Sequence, residues 1–562
     1  MKRQGPAIAA GVVFLLGCFS WSFAQSPDED ALRARMKTAM DALDSSKSLA
    51  AVPWDEYVVL LYARLQGREP TLREFAALRG LRRSVGLKPS EALSLVLRGE
   101  EDCPTYAQIR VFLESKDAGA FASTAQSRAV ARDLAAAYYA HDWTQEAEVG
   151  EPMGEASACE IDPPNVPYHV YYGYVHAHCS LSDGEGTPLD AYTQARDNGM
   201  DFFSLTDHGE LLMLWPWENK YTQLREAADE TNEPGRFAAL FGFEWTNPLL
   251  GHINVINANQ FTNALQNFTL CSFYGWLEAR PEAFGRFNHP GWTDEADAEF
   301  LHGRLFPKAA PQMVGIELWN GSTSFDFFYY GGSWNSDFSF IDAMNRQGWR
   351  LGALGDGDNH TRDWGQGNCR TAVLAEELTR EAVVDAYRHR RFYSTEDKDL
   401  ILDFRCGGYP MGSIVSGIPR EFRVTASDGS GDTFQEVRLY RNGELLETRA
   451  VEGNVVDVVF TDTSGSGDAY YYVIVRQNDD DDMNGRNDEA ISSPIWLGEP
   501  RPLDPPPLGC VGIRSRGSLA RASASGTAAN TKLRCDMLIL LVVPCVLYVH
   551  GRRESRKTRV FG

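Results

Sequence analysis

The 562-residue sequence has few cysteines for its length, and none of them form a spaced pair. Its ten cysteines include no Cys-x-x-Cys motif, so they indicate neither a thiolate zinc site nor the disulfide framework of a small secreted domain. Cys103 with Cys159 and Cys271 with Cys369 stay open as disulfide pairs in an oxidising compartment. A chain of this length does not need such bridges to stabilise its core.

Long apolar runs are also scarce. Residues 537–549 form thirteen mostly apolar residues that include Pro544, followed by the basic segment GRRESRKTR. About 20 apolar residues are needed to span a bilayer. The composition, 43% hydrophobic and 23% charged, is that of a globular protein and excludes both disorder and a multi-span membrane protein. Residues 537–562 remain open to two interpretations, an anchoring or sorting tail and a slightly apolar terminus.

Positive charge is the third scarce property. The chain has 54 Lys and Arg against 77 Asp and Glu, a net charge of −23. Residues 508–562 carry +8, so residues 1–507 carry −31. Such an acidic body repels a phosphate backbone, and we expect no nucleic-acid partner. A small phosphorylated or neutral ligand that reaches bound cations is compatible with this charge.

The N-terminus has the three parts of a secretory signal. Two basic residues precede the apolar stretch of residues 7–19, and Ser22-Phe23-Ala24 provides a cleavage site of small residues. An alternative is cleavage before Cys18 with lipidation. We expect a signal peptide over residues 1–24 and an exported protein that is periplasmic, secreted or held at the cell surface.

The rest of the chain divides by pattern. Residues 25–160 have helical spacing of apolar residues, with Ser90 expected as a helix cap, and predict a helical N-terminal region. Residues 165–400 alternate short apolar runs with helical stretches, which is typical of an α/β protein with a parallel sheet or barrel. Residues 401–499 alternate in period two, with a turn at Asn442-Gly443, and predict an immunoglobulin-like β-sandwich. Residues 500–536 are expected to be a linker.

Potential metal ligands follow the apolar runs of residues 165–400. In a strand, residues i and i+2 face the same side, so His176 and His178 can bind one cation, as can Asp358 and His360. The carboxyl ends of barrel strands converge on one face. Imidazole with carboxylate suits Zn, Mn or Fe. Each cluster alone is a weak signal, but five in one segment predict a multinuclear metal site, and they are His176 with His178, Asp207 with His208, Glu244 with His252, His289, and Asp358 with His360.

These motifs resemble those of a known superfamily. HAHCSLSDG, LTDH, FEWT with GHINVI, NHP and DGDNH, in this order, resemble the motifs of PHP (polymerase and histidinol phosphatase) metallohydrolases. GIELWNGS, RFYSTEDKDL and a following sandwich are similar to its exported CehA/McbA-like branch. The resemblance implies a distorted seven-stranded β/α barrel, TIM-like, that holds two to three divalent ions.

The resemblance also implies the role of each ligand. The first ion would be held by His176, His178, Glu244 and Asp358, the second by Glu244, His252 and His289, and the third by Asp183, His208 and His360. Asp207 would orient ligands or join the third site. Two positions depart from the family pattern: Cys179 stands where Thr is frequent, and Asp183 stands near a position that is His in some members.

The expected reaction is hydrolysis by a metal-bridging hydroxide. We expect a phosphoesterase acting on a small molecule, with Asp207, His208 and His289 as candidate catalytic residues. Hydrolysis of a carboxyl ester or amide at the same metals is the alternative reaction, and a surface-anchored binding protein without turnover is the alternative of another class. A phosphatase pocket should present an arginine or lysine to the non-bridging oxygens.

Two further sites are open from the sequence. Arg362 and Arg370 follow the last motif and are candidates to hold an anionic substrate, with surface ion pairs as the alternative. The acidic stretch NDDDDMNGRNDEA resembles the start of a calcium loop, with Asp480, Asp482 and Asn484 as ligands. Ile491 occupies the position where an EF-hand needs Glu, so a sandwich-loop calcium site or a solvated acidic turn remains.

Overall fold

The structure is a computed structural model of the whole chain. It describes residues 40–41, 43–97, 123–144, 162–214, 219–292, 294, 297–321, 326–334, 336–480, 485–499 and 502–503. The predicted signal peptide, the C-terminal tail, almost all of the linker, and Asp482 and Asn484 of the calcium stretch lie outside these residues. The chain divides into two units, Met1–Leu508 and Gly509–Gly562, and everything described belongs to the first. No helix within the described ranges is long and apolar enough to cross a membrane.

The described part of the N-terminal region is helical. Thr71 begins a helix with a capping box, in which its hydroxyl accepts from the Glu74 amide while the Glu74 carboxylate accepts from the Thr71 amide. The expectation that Ser90 caps a helix is wrong, because that helix begins at Pro89 and both the amide and hydroxyl of Ser90 donate to Asp44. Helices whose bounds lie within the described residues are α1 (Lys47–Ala50), α2 (Trp54–Leu65), α3 (Leu72–Ser84), α4 (Pro89–Leu97) and α5 (Ala125–Ala140).

The segment that follows alternates strands with helices and confirms a mixed α/β fold. Its strands are β1 (His169–Tyr174), β2 (Phe202–Leu205), β3 (Ala238–Asn247), β4 (Gly251–Ile256), β5 (Phe284–Phe287), β6 (Met313–Asn320), β7 (Asp326–Phe327), β8 (Gly352–Asp356), β9 (Arg370–Ala375) and β10 (Phe392–Thr395). Its α-helices are α6 (Pro188–Asp197), α7 (Gly209–Leu212), α8 (Lys220–Thr231), α9 (Leu270–Glu278), α10 (Phe340–Arg346) and α11 (Arg380–Arg388).

Both parallel and antiparallel pairs occur in this sheet. β1, β2 and β3 are parallel neighbours, and β5, β6 and β8 form a second parallel set. Antiparallel β4 joins the two sets, while β9 and β10 extend the sheet beyond β1. Two backbone hydrogen bonds link the residues after β1 to those after β8, from the His178 amide to Asn359 and from the Asp358 amide to His176.

The strands surround a common apolar core. One buried cluster takes side chains from β2, β3, β4, β5, β6, β8 and β9, and Tyr387 of α11 packs among them. Within that cluster the Tyr387 ring stacks on Phe284 at a centroid distance of 5.0 Å. This arrangement is compatible with a barrel, but a continuous ladder that closes the sheet is not seen between β8 and β1 or β9 in the described part of the chain. The closed barrel stays a prediction.

The C-terminal part of the described chain is all β. Its strands are β11 (Leu400–Cys406), β12 (Tyr409–Pro410), β13 (Ile414–Val415), β14 (Glu421–Asp428), β15 (Phe434–Arg441), β16 (Glu444–Ala450), β17 (Val455–Thr461), β18 (Ala469–Gln477), β19 (Glu489–Ser492) and β20 (Ile495–Leu497).

Two sheets of this region pack around one apolar core. One has the order β12-β11-β14-β17, and the other, which contains β15, β18 and β19, continues the main sheet because β19 pairs with β10. Asn442 and Gly443 both have positive φ, as the predicted hairpin turn between β15 and β16 requires. An immunoglobulin-like topology stays a prediction, and the shared sheet joins this region directly to the ligand-bearing strands.

Candidate metal centre

The predicted ligands meet at one edge of the sheet. His176 and His178 follow β1, His208 follows β2, His289 follows β5, and both Asp358 and His360 follow β8. Glu244 lies within β3 near its carboxyl end. Because β4 runs antiparallel to β3, its first residues lie at this same edge, and His252 pairs with Thr246. Strands that run in opposite directions therefore place their ligands at the same edge of the sheet.

The first group of ligands surrounds a point between β1 and β8. Nε2 of His176 and Nε2 of His178 lie 3.3 Å apart, and each lies 3.1 Å from Oδ1 of Asp358. The Glu244 carboxylate is 3.5 Å from His176 and 3.7 Å from His178. Ligand atoms on a tetrahedral ion with bonds of about 2.1 Å lie roughly 3.4 Å apart. These four side chains are thus spaced to hold one ion.

Glu244 also belongs to a second group. Its Oε1 lies 3.2 Å from Nδ1 of His252 and 3.6 Å from Nε2 of His289. The three residues form a set whose ligand atoms all lie within 4.8 Å of one another. His289 adopts the uncommon φ of 20°, and Asp358 of the first group has φ 47°. Such backbone conformations are held by their surroundings and occur often at functional sites. A carboxylate shared in this way can bridge two ions.

The third group is the most open to solvent. Oδ1 of Asp183 lies 3.4 Å from Nε2 of His208 and 3.5 Å from Nε2 of His360, whose side chain is 40% exposed. The His178 ring stacks on both imidazoles, at a centroid distance of 4.3 Å to each. With His178 these residues form a four-member set of ligand atoms. The structure therefore brings all nine predicted ligands together in three adjoining groups.

A buried carboxylate on β6 positions the first group. Oε1 of Glu317 lies 2.6 Å from Nδ1 of His176, on the opposite side of the ring from the ligand atom. The same oxygen accepts from Arg286 of β5, whose other terminal nitrogen lies 2.6 Å from Asp356. The Glu317 carboxylate also accepts from the His289 amide. Its hydrogen bond fixes the tautomer of His176 that leaves Nε2 free to coordinate a metal.

Two amides position the bridging carboxylate. Nδ2 of Asn288 donates to Oε1 of Glu244 at 2.6 Å and to the side-chain oxygen of Asn254 at 3.0 Å. Asn254 in turn donates to the main-chain oxygen of Val175 and to the Thr206 hydroxyl. All of these groups are buried. Because each amide is itself held, the Glu244 carboxylate has a defined orientation.

Asp207 is bonded to the loop that carries Asp183. Its carboxylate accepts from the amide and thiol of Cys179, at 3.1 and 3.2 Å, and from the Ser182 hydroxyl at 2.6 Å. These contacts favour the orienting role among the two that the resemblance implies. Burial, followed by the charge of Asp207, raises the pKa of the Cys179 thiol well above its ordinary value. In this structure the thiol is a hydrogen-bond donor to Asp207.

The charges of the site perturb one another strongly. Burial opposes a protonated His176, but Asp358, Glu317 and Glu244 outweigh it and raise its pKa well above the ordinary value. Burial likewise disfavours an ionised Glu244, yet the surrounding histidines hold its pKa well below the usual range. At His252 burial dominates and lowers the pKa to about 4, so its ring is neutral at pH 7. A neutral ring offers the lone pair that a metal requires.

Unpartnered polar atoms inside the site fit a bound cation. Both ring nitrogens of His252 are buried without a hydrogen-bond partner among the described residues, including Nδ1, the atom that faces Glu244. A buried polar atom without a partner costs about 1–3 kcal/mol. The neighbouring carboxylates would repel one another without a cation between their ligand groups. A donor set of imidazoles and carboxylates can hold divalent metal ions, and their identity as Zn, Mn or Fe stays a prediction.

A cavity of about 290 Å³ opens onto these ligands. One wall is formed by His208, Glu244, His252, His289, Asp358 and His360. Trp292, whose ring contacts His289 at a centroid distance of 4.6 Å, lies at its side. The opposite wall comes from α3 and α5 of the N-terminal region. A small molecule in this cavity would touch the ligand residues directly.

The other predicted site residues lie elsewhere. Arg370 is buried and donates to the main-chain oxygens of Gly365, Gly367 and Cys369, and Arg362 pairs with Asp190 at the surface. Neither arginine lines the cavity. Asp480 accepts from the Gly485 amide, and Asp482 and Asn484 lie outside the described residues. Cys369 is a free thiol, so it does not pair with Cys271, and Cys103 and Cys159 lie outside the described ranges.

Two sets of residues were not predicted from the sequence. One set hydrogen-bonds to the ligands, and the other lines the cavity together with them. Glu317, Arg286 and Asp356 are charged residues inside fully buried strands. A single charge within an apolar strand is the signal that could have found them, since such a group is buried only when it is paired. Arg83 and Tyr138 of the opposite wall have no comparable signal, because they look like ordinary residues of amphipathic helices.

Comparisons with known proteins find distant relatives. No protein-family model matches the chain. An uncharacterized protein of Chlamydia pneumoniae is 29% identical over 141 residues, 23% of this chain and 22% of the relative. An uncharacterized protein of Chlamydia trachomatis serovar D is 22% identical over 320 residues, 53% of this chain and 51% of the relative. The chain spans about half or less of the length of these curated relatives.

A solved structure with low similarity to this chain is also found. It is a two-domain protein of Bacteroides vulgatus that contains a predicted PHP-like metal-dependent phosphoesterase, 16% identical to this chain. The alignment covers 61% of this chain and 99% of that protein, with a TM-score of 0.34. At that score the likeness lends no weight to either fold or function. The ligand geometry alone defines a candidate multinuclear metal centre.

Proposed function

We propose that this protein is an exported, metal-dependent phosphoesterase of the PHP superfamily, close to its CehA/McbA-like branch. The observation that carries the proposal is the convergence of nine imidazole and carboxylate ligands in three groups around one cavity. The order of the five sequence motifs supports the superfamily, and the N-terminal pattern of residues 1–24 supports export.

The charge balance of the centre favours an anionic substrate. Three carboxylates lie among the nine ligands, those of Asp183, Glu244 and Asp358, while the histidines bind metals in their neutral form. Two or three divalent ions would bring more positive charge than these carboxylates neutralise. The loaded cavity would thus attract a phosphoryl group, although residues 1–507 as a whole are strongly acidic.

Divalent ions in this centre would act as Lewis acids and lower the pKa of water. The residues of the chain hold the reacting groups in position around these ions. Glu244, fixed by Asn288, keeps the first two groups at a constant separation. His208 and His289 line the cavity, where a ring nitrogen can pass a proton to the departing oxygen. In the balanced reaction, water oxygen forms the new bond to phosphorus, the bond to the leaving oxygen breaks, and that oxygen takes the proton.

Elemental analysis combined with a substrate panel tests this proposal. The purified chain should contain at least two equivalents of divalent metal and, with Zn or Mn added, hydrolyse phosphomonoesters faster than aryl carboxyl esters. Exchanging both His176 and His178 for Ala should remove metal and activity. His169→Ala is the matched control, because His169 lies exposed at the start of the same strand. Hydrolysis of aryl esters alone, or metal-independent turnover, would refute the phosphoesterase assignment.

A further inference from the structure

The cavity over the ligands has a second wall that the N-terminal helical region supplies. Gly80, Arg83 and Ser84 of α3 and Tyr138 of α5 line it opposite the metal ligands. These residues are about 70 to 280 positions away in sequence from the ligands that line the same cavity, so the fold of the described chain brings them together. The helices therefore complete the cavity.

The helices are packed firmly on the ligand-bearing domain. A Cβ atom built on Gly80 would overlap the ring of Pro248, which lies in the connection between β3 and β4. Leu211 and Leu214, which follow the ligand His208, are buried in the same apolar cluster as side chains of α2, α3 and α4. This packing fixes the position of helix α3 relative to the metal ligands.

Arg83 brings positive charge to this wall. Among the described residues that line the cavity, it is the one side chain that is cationic at every physiological pH. Nη2 of Arg83 lies 3.4 Å from the hydroxyl of Tyr139, which also accepts from Arg79 at 3.1 Å. Arg79 is held by an ion pair with Asp55 at 3.4 Å. Arg83 thus lies on the cavity lining, and its guanidinium shares the Tyr139 hydroxyl with a second cation, Arg79.

A guanidinium opposite divalent cations matches the needs of one substrate class. A phosphomonoester carries two negative charges, and its non-bridging oxygens accept hydrogen bonds from the planar fork of arginine. An uncharged carboxyl ester offers no such group. The cavity volume of about 290 Å³ limits the substrate to a small molecule.

We propose that Arg83 binds a non-bridging oxygen of a small phosphomonoester held between the N-terminal helices and the metal centre. This rests on the proposed function and adds to it the substrate class and a specificity-determining residue outside the ligand-bearing domain. The helical region then selects the substrate, and its role is more than packing.

Binding of inorganic phosphate to the full-length, Zn-loaded chain tests this inference without catalysis. In titration calorimetry, Arg83→Met should weaken phosphate binding about ten- to a hundredfold, the usual value of a charge-assisted hydrogen bond. Arg83→Lys should recover part of the loss. Arg132→Met removes the same charge from the 77% exposed Arg132 of α5, which does not line the cavity, and should bind phosphate as the wild type does.

Kinetics separate this inference from the proposed function. With 4-nitrophenyl phosphate, Arg83→Met should raise KM about tenfold or more with equal metal content, while Arg132→Met should keep the KM of the wild type. Unaltered phosphate affinity in Arg83→Met, or no phosphate binding by the wild type, overturns the role of Arg83. If the wild type binds phosphate through Arg83 but hydrolyses no phosphoester, the inference stands and the proposed function fails.

Discussion

Oε1 of Glu317 lies 2.6 Å from Nδ1 of His176 and presents the opposite nitrogen of that ring to the first ligand group. We expect Glu317→Gln to lower metal affinity about ten- to a hundredfold, because an amide binds the imidazole more weakly and can select the wrong tautomer. Competition with a chromophoric chelator measures the affinity. Glu377→Gln, at an exposed position, is the control. Metal affinity equal to that of the wild type would contradict the positioning role.

Exchange of Gly80 for Ala should lower the stability of the protein, whereas the same exchange at an ordinary helical glycine raises it. In an exposed helix, Gly→Ala stabilises by about 1 kcal/mol. Here the new methyl group would overlap Pro248, so we expect Gly80→Ala to destabilise by about 1–3 kcal/mol, the usual effect of overpacking. Denaturant unfolding measures this, and Gly275→Ala is the control, because Gly275 lies in helix α9 where a Cβ meets no atom within 4 Å. A more stable Gly80→Ala protein would show that α3 is not seated on Pro248.

Gly275 is helical like Gly80, so its variant reports the helix propensity of Ala without a clash. Comparison of the two variants therefore isolates the contact with Pro248. If the helices complete the cavity, Gly80→Ala should also raise KM while metal content is unchanged.

Much of the ligand-bearing region was predictable because its local and global patterns agree. The apolar runs that end at His176, Asp207 and His289 are strands β1, β2 and β5, since buried strands of a parallel sheet are continuously apolar. Ligands that follow such strands meet at one edge of the sheet, whether or not the sheet closes into a barrel. The positions of His176 and His178 follow from the two-residue period alone.

Residues that depend on pairing between distant strands could not be predicted. Arg286, Glu317 and Asp356 lie on β5, β6 and β8, and only the order of these strands brings them together beneath His176. Arg83 was missed for another reason. On a helix its charge looks like one of many solvated groups, and its place opposite the ligands follows from how α3 packs on Pro248.

Removal of metal should destabilise the protein and re-addition should restore it. Without ions the carboxylates of Glu244 and Asp358, which are 0% and 7% exposed, lack a cation between them, and both ring nitrogens of His252 lack a hydrogen-bond partner among the described residues. A ligand present at 100 times its Kd stabilises by about 2.7 kcal/mol, so chelation should lower Tm by several degrees. Differential scanning fluorimetry measures the shift. The double variant of His176 and His178 should show little response, and an equal shift there would place the stabilising metal elsewhere.

Asp342 ties the β-rich C-terminal region to the ligand-bearing region. Its buried carboxylate accepts from the hydroxyls of Tyr470 and Tyr472 of β18, each at 2.9 Å, and from Ser339 at 2.6 Å. Asp342→Ala leaves these hydroxyls without their acceptor, and we expect a loss of about 2–4 kcal/mol. Asp342→Asn keeps an acceptor oxygen and should lose less.

Because β19 and β10 share a sheet, the two regions should unfold together. In Asp342→Ala, release of metal and loss of β-structure should therefore move to the same lower denaturant concentration, as measured by a metal-sensitive dye and by far-ultraviolet circular dichroism. Val459→Ala, at a partly exposed position of β17 on the other sheet, is the control. If metal is retained while β-structure is lost, the β-rich C-terminal region folds independently of the ligand-bearing region. The hydrogen bonds of Asp342 would then be contacts between two regions that fold separately.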